Sequence, residues 1–161
     1  MFGQILTKMA TCLAIVGGLV LLTIVLINVL SITGRVLFSR ALVGDFELIE
    51  MGCAMAIFMF MPLCQLRKGN IIIDFFTTKL SEKRKHFLDA LNTLIFALVA
   101  SFFAWRMCFG AWDMIKYDEQ TMLLQLSVWI PFFPAILSLL LLSLICFHSF
   151  YQSLKTFSTR D

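Results

Sequence analysis

Charged positions divide the chain into four long apolar blocks. The first block, Met9 to Gly34, contains 26 residues between Lys8 and Arg35. About 20 residues of a helix cross the hydrocarbon core of a bilayer, and each of the four blocks reaches that length with its flanking residues. We therefore predict four membrane-spanning helices, placed at roughly 10–34, 47–66, 86–108 and 129–152.

Composition supports burial in lipid. The chain has 161 residues, of which 60% are hydrophobic and 14% charged, whereas a soluble domain carries about 25% charged residues. Too few polar residues remain to cover a soluble domain. The fold class expected is an all-α integral membrane protein, with residues 1–161 forming a single membrane domain.

One segment between the second and third spans, roughly 70–80, differs from the other connections. It alternates isoleucine, phenylalanine and leucine with Asp74 and Lys79. A short amphipathic stretch of this kind lies in the plane of the lipid headgroups. We predict an interfacial segment here.

The positive charges indicate orientation. Nine Lys and Arg side chains fall on the side of both termini and the second connection, and four fall on the other side. Cytoplasmic loops carry the excess of positive charge, so both termini are expected in the cytoplasm. Because these charges follow the loops rather than one face, and the net charge is only +3, no nucleic-acid partner is predicted.

The spans carry little that could do chemistry. No Asp, Glu or Lys lies at the middle of a span, and Arg106 is placed near the end of the third, where it can snorkel. The five cysteines form no C-x-x-C pair, and we expect them to be buried apolar fillers. No cofactor, metal site or catalytic set is predicted, and the protein is not expected to be an enzyme.

Two acids at the start of the second span stand out. Glu47 and Glu50 are three residues apart and share a helix face, which suits either an ion site or a structural pair at the end of the helix. We favour the structural interpretation, with Arg35 and Arg40 as partners, and we expect Arg35 to pair with Glu47.

Two histidines, His86 and His148, leave a second class of function open. Four-helix membrane bundles can hold haem between such residues, which would make the chain a membrane anchor of a redox enzyme. A third possibility is a stand-alone four-helix exporter, although such carriers need an acid within the membrane.

The order of several short motifs resembles a known family. Arg35-Val-Leu-Phe38 follows the first span, Glu47-Leu48 opens the second, and Arg67-Lys-Gly69-Asn70-Ile71 closes it, three residues before Asp74. Together with Trp129-Ile-Pro131 at the fourth span, this pattern is similar to the small membrane subunit (DctQ-like) of tripartite ATP-independent periplasmic (TRAP) transporters. The family commonly has His where this chain has Asn70, and Val where it has Ile73.

The resemblance implies a bacterial inner-membrane protein with defined partners. A large permease subunit would hold the substrate and sodium sites, and a periplasmic binding protein would deliver an organic acid such as a C4-dicarboxylate or a sugar acid. The small subunit would act as a scaffold among membrane lipids, and the chain's end at Asp161 suggests that the large subunit is a separate chain. Structural or subunit-interface roles are expected for the family-motif positions Arg35, Glu47, Glu50, Arg67, Gly69, Asn70 and Asp74.

Overall fold

The computed structural model describes residues 2–39, 42–67 and 82–158. These residues form four helices, which are α1 (Phe2–Phe38), α2 (Asp45–Leu66), α3 (Glu82–Lys116) and α4 (Phe132–Ser158). Each contains a stretch long and apolar enough to cross a membrane, so the predicted all-α membrane class with four spanning helices is confirmed. The predicted interfacial segment, 70–80, lies outside the described residues.

The helices continue beyond the apolar blocks that predicted them. α3 ends at Lys116 rather than near 108, because backbone hydrogen bonding continues through polar side chains that a hydropathy pattern excludes. Arg106 therefore lies well inside α3 rather than at its end. The fourth helix begins at Phe132, directly after Pro131, whose carbonyl accepts the Ala135 N–H at 3.4 Å.

α4 is the central helix, since it packs against the other three. On one side its Leu139, Leu142 and Cys146 contact the small residues of α3, and on another its Leu141 and Ile145 contact α1. The α3 residues in this contact are Ala97, Ala100 and Ala104, all at most 4% exposed. Such small side chains let two helix backbones approach closely.

Glycines allow α1 and α2 to pack equally closely. A Cβ added at Gly17 would lie 2.9 Å from the Cβ of Met59, and one added at Gly52 would overlap the Ile24 side chain. The next residue, Gly18, faces open space. Gly17 and Gly52 therefore fix the separation of α1 and α2, whereas Gly18 does not.

A proline inside α2 explains one polar contact in the core. Pro62 lacks the N–H that would otherwise bind the carbonyl of Phe58, four residues earlier. The hydroxyl of Ser138 on α4 donates a hydrogen bond to that carbonyl instead, and Ser138 is fully buried. Neighbouring hydroxyls commonly satisfy backbone groups freed by proline in membrane helices. Ser138 thus joins α4 to α2 at the position where α2 lacks its own hydrogen bond.

A second hydroxyl contact joins α4 to α3. Ser101 donates to the carbonyl of Ala97 at 2.8 Å, and its oxygen lies 2.7 Å from that of Ser143. Since the single proton of Ser101 is already used, Ser143 is the donor in this pair. These serines therefore stabilise helix packing, as expected of isolated hydroxyls in a membrane bundle.

The cysteines only partly match their prediction. Cys146 is buried in the α3–α4 contact, but Cys12, Cys64 and Cys108 are exposed. These three lie on helix faces turned away from the bundle, which an apolar sequence pattern cannot distinguish from a buried face. All five cysteines are free thiols.

Candidate functional site

The clearest cluster of polar contacts lies at one end of the bundle, which we call the loop end. It contains the α1–α2 connection and the α3–α4 connection, residues 117–131. At its centre, Gly44 precedes α2 with a φ of 82°, a backbone conformation that favours glycine. A Cβ at Gly44 would also overlap the side chain of Leu124 from the α3–α4 connection. Gly44 therefore allows the two connections to touch.

Asp45, the first residue of α2, joins α2 to α1. One of its carboxylate oxygens, Oδ2, accepts the Ser31 hydroxyl at 2.6 Å and lies 3.6 Å from Nη2 of Arg35. The other oxygen accepts the Phe46 N–H at 2.9 Å. Asp45 is 8% exposed, and a buried carboxylate is stable only when it is bonded in this way. A charge at the first turn also complements the helix dipole.

Glu47 joins α2 to the other connection. Its two carboxylate oxygens accept the backbone N–H groups of Leu123 and Leu124 at 2.8 Å and 2.9 Å. Charged acceptors make the stronger class of hydrogen bond. One side chain therefore satisfies two successive backbone donors that lie 76 and 77 residues away in the chain.

The α3–α4 connection is folded rather than extended. Thr121 N–H donates to the Leu126 carbonyl at 2.9 Å, and Val128 N–H donates to the Glu119 carbonyl at 3.1 Å. Gln125 turns the chain with a φ of 52°. The tip of this short hairpin presents Met122, which is 96% exposed, beside the half-exposed Leu123. Glu47 thus holds an apolar tip in place.

The predicted ion pair of Arg35 with Glu47 is wrong. Arg35 lies beside Asp45, whereas the carboxylate of Glu47 binds backbone N–H groups. Asp45 occupies the position nearest to α1 because it begins the helix, and Glu47 is rotated by half a turn from it. Glu50 is exposed on α2, and Arg40 lies outside the described residues.

Of the remaining motif residues, the described one lies at the opposite end of α2. Arg67 ends this helix, and its backbone N–H donates to the Leu63 carbonyl at 3.1 Å. Gly69, Asn70 and Asp74 lie outside the described residues. Among the described motif residues of α2, the two acids thus lie near one end and Arg67 at the other.

Only one of the two histidines considered for a haem site has a described side chain. His148 on α4 faces the start of α1, where a Cβ added at Gly3 would lie 3.4 Å from its ring. The side chain of His86 is not described. Within 2–39, 42–67 and 82–158, no three His, Cys, Asp or Glu residues are grouped so as to hold a metal ion.

The loop end fixes three segments of the chain relative to one another. Asp45 and Glu47 hold α1, α2 and the hairpin through hydrogen bonds that each carboxylate accepts. Sequence reasoning identified Glu47 but missed Asp45 and Ser138. For Ser138 a signal existed, since any proline within a helix leaves a carbonyl four residues earlier without its donor.

Comparison with known proteins gives one match. Residues 21–156 match the family described as tripartite ATP-independent periplasmic transporters, DctQ component. This range includes all four helices in whole or in part, and with it the loop-end contacts. No curated protein and no solved structure matches the chain.

Proposed function

We propose, from the premise that the chain belongs to the DctQ component family of tripartite ATP-independent periplasmic transporters, that it is the small, non-catalytic subunit that scaffolds the large permease. In this role it supports sodium-coupled uptake of an organic acid, either a C4-dicarboxylate or a sugar acid, that a periplasmic binding protein delivers. The chain lies in the bacterial inner membrane with both termini in the cytoplasm.

The observation that carries this proposal is the uneven burial of the helices. In their spanning stretches, 44% of α4 is buried but only 17% of α1 and of α3. Large apolar side chains cover the outward faces of those two helices, for example Leu30, Val36, Phe102 and Trp105, each more than half exposed. Such faces need a cover of lipid or protein. A subunit that supports a larger membrane protein would have wide faces of this kind.

The interior of the bundle supports a rigid rather than a moving part. Alanines and glycines bring the helix backbones close together, and buried side chains fill the space between them. The loop-end carboxylates add fixed contacts between three segments. A small subunit that scaffolds a moving permease must itself be rigid, because a flexible subunit would move together with the permease.

The other family-motif residues belong to the same proposal. We assign Arg67, Gly69, Asn70 and Asp74 a structural or subunit-contact role. Replacing Asn70 by Ala and Asp74 by Asn is expected to weaken the recovery of the large subunit. An unchanged recovery in both variants would remove these two positions from the contact.

The test is co-expression with the large permease subunit proposed as the partner, followed by purification through a tag on this chain in mild detergent. We expect the two chains to elute together, and we expect cells lacking this chain to lose sodium-dependent uptake of the organic acid. A stable chain that purifies alone, while the permease elutes separately and transports without it, would contradict the proposal.

A further inference from the structure

α3 has a second, unpaired face opposite its contact with α4. On the α4 side lie the buried residues Ala97 and Ala104. On the opposite side lie exposed rings, with Phe102 near Trp105 (ring centroids 6.0 Å apart) and Trp105 near Phe109 (5.4 Å). Arg106 is exposed on the same side, since it is four residues from Phe102 and three from Phe109. We call these four residues the Arg106 face.

The guanidinium of Arg106 has no bonded partner among the residues that the structure describes. Phenylalanine and tryptophan rings lie above and below it along the helix, and these offer no carboxylate. The nearest charged residue along α3 in either direction is Asp113, seven residues on and about 10 Å away along the axis. Among the described residues, the positive charge is therefore left without compensation.

The side chain of Arg106 leans away from the nearer end of α3, which makes its charge hard to hydrate. Arg106 lies ten residues before the end of α3 at Lys116, which is about 15 Å along the axis. Helical side chains lean toward the N-terminus of their helix, and for Arg106 that direction leads to the middle of the spanning stretch, 90–116. Snorkelling to the nearer headgroups would require the side chain to bend back on itself.

Glu50 shows the contrast. It too is an exposed charge on a spanning helix, but it lies five residues after the start of α2 at Asp45, about 7.5 Å along the axis. Because helical side chains lean toward the N-terminus, the carboxylate of Glu50 points toward the near end of α2. Glu50 therefore leans toward the nearer end of its helix, whereas Arg106 leans away from the nearer end of its own.

We propose that the Arg106 face is covered by a transmembrane helix of the large permease subunit that presents a carboxylate to Arg106. This inference rests on the proposed function. Charges within a membrane persist where they meet a partner group, and the planar guanidinium suits a carboxylate in particular. Arginine flanked by tryptophan and phenylalanine is also the composition found at the centre of protein interfaces. A lipid phosphate is the competing occupant, and the inward lean of the side chain disfavours it.

One experiment maps the occupant directly. The photo-crosslinker p-benzoylphenylalanine replaces Phe102 or Phe109 in the full chain, which is co-expressed with the tagged permease. Leu140, on the outward face of α4 and 49% exposed, provides the matched control position. We expect the α3 positions to give the crosslinked pair of subunits at higher yield than Leu140. Adducts with lipid alone, or a yield no higher than at Leu140, would overturn the inference.

A second experiment tests the charge. Arg106→Gln removes it, Arg106→Lys retains it, and Lys116→Gln removes a charge from the end of the same helix. We expect Arg106→Gln to lower the recovered permease about tenfold, since losing a charged hydrogen bond has an effect of that order, and Lys116→Gln to leave it unchanged. Size-exclusion profiles of each variant alone check that the fold is kept. Equal recovery with Arg106→Gln and with the unaltered chain would refute the inference.

The two proposals fail differently. If the unaltered chain does not recover the permease at all, the proposed function fails. If the unaltered chain recovers it and Arg106→Gln does so equally well, only the assignment of this face fails.

Discussion

Replacing Ser138 by Ala gives the sharpest test of how the core is held together. The change leaves the carbonyl of Phe58 buried without a donor, because Pro62 cannot supply one. A buried acceptor left unsatisfied costs about 1–3 kcal/mol, and interhelical hydrogen bonds measured in membranes reach about 1.7 kcal/mol. We expect a loss of about 1–2 kcal/mol in the free energy of unfolding, which is roughly a tenfold change in the folding equilibrium.

The proline provides the control. Pro62→Ala restores an N–H four residues after Phe58, so α2 can then satisfy the carbonyl by itself. In that background Ser138→Ala is expected to cost about 0.5 kcal/mol or less, because the hydroxyl has become redundant. The difference between the two losses is the coupling between Ser138 and Pro62.

The measurement is reversible unfolding of the four variants in mixed micelles, followed by circular dichroism. Ser143→Ala is the matched control, since Ser143 donates to Ser101 rather than to a backbone carbonyl freed by proline. Its effect should be the same with or without Pro62. If Ser138→Ala is equally destabilising in both backgrounds, the carbonyl of Phe58 is not the group that Ser138 serves.

Three further predictions follow from the packing and from the loop end. Glu47→Gln should loosen the α3–α4 connection, seen as faster hydrogen exchange of its amides, because a neutral amide oxygen can replace only one of the two charged acceptors; Glu50→Gln is the control and should leave exchange unchanged. Gly17→Leu should destabilise the bundle by about 1–3 kcal/mol through overpacking against α2, whereas Gly18→Leu should be nearly neutral; equal effects in micelle unfolding would contradict the α1–α2 contact. Asp45→Asn should lower stability by about 1–2 kcal/mol through its weaker bonds to α1; an unchanged unfolding midpoint would refute that role.

The number of spanning helices could be predicted because it depends only on the spacing of charges. Lys8 and Arg35 enclose the first apolar block, and the length of that block already requires a membrane crossing. The ends of the helices could not be predicted in the same way. α3 continues past Arg106 to Lys116. A helix ends where its pattern of backbone hydrogen bonds stops, and not where the hydropathy of its side chains changes.

The partners of the acids could not be read from the sequence. Glu47 and Glu50 are alike in type and lie one turn apart, yet only Glu47 reaches the hairpin. Which of them does so depends on the rotation of α2 about its axis, and that rotation is set by the contact of Gly52 with Ile24 on α1. A tertiary contact therefore decides a local hydrogen bond, and sequence spacing alone contains no such information.

The central position of α4 has a consequence for how the chain is made. Ribosomes release α1 and α2 first, and this pair can close on itself through Gly17, Gly52 and the Ser31–Asp45 bond. α3 emerges before α4, yet its alanine surface packs chiefly against α4. During synthesis α3 therefore enters the bilayer before α4 is available to pack against it. The carboxylate of Glu47 likewise lacks the hairpin N–H groups that it later binds. Both contacts therefore form only after α1, α2 and α3 have been made, when the hairpin and then α4 emerge.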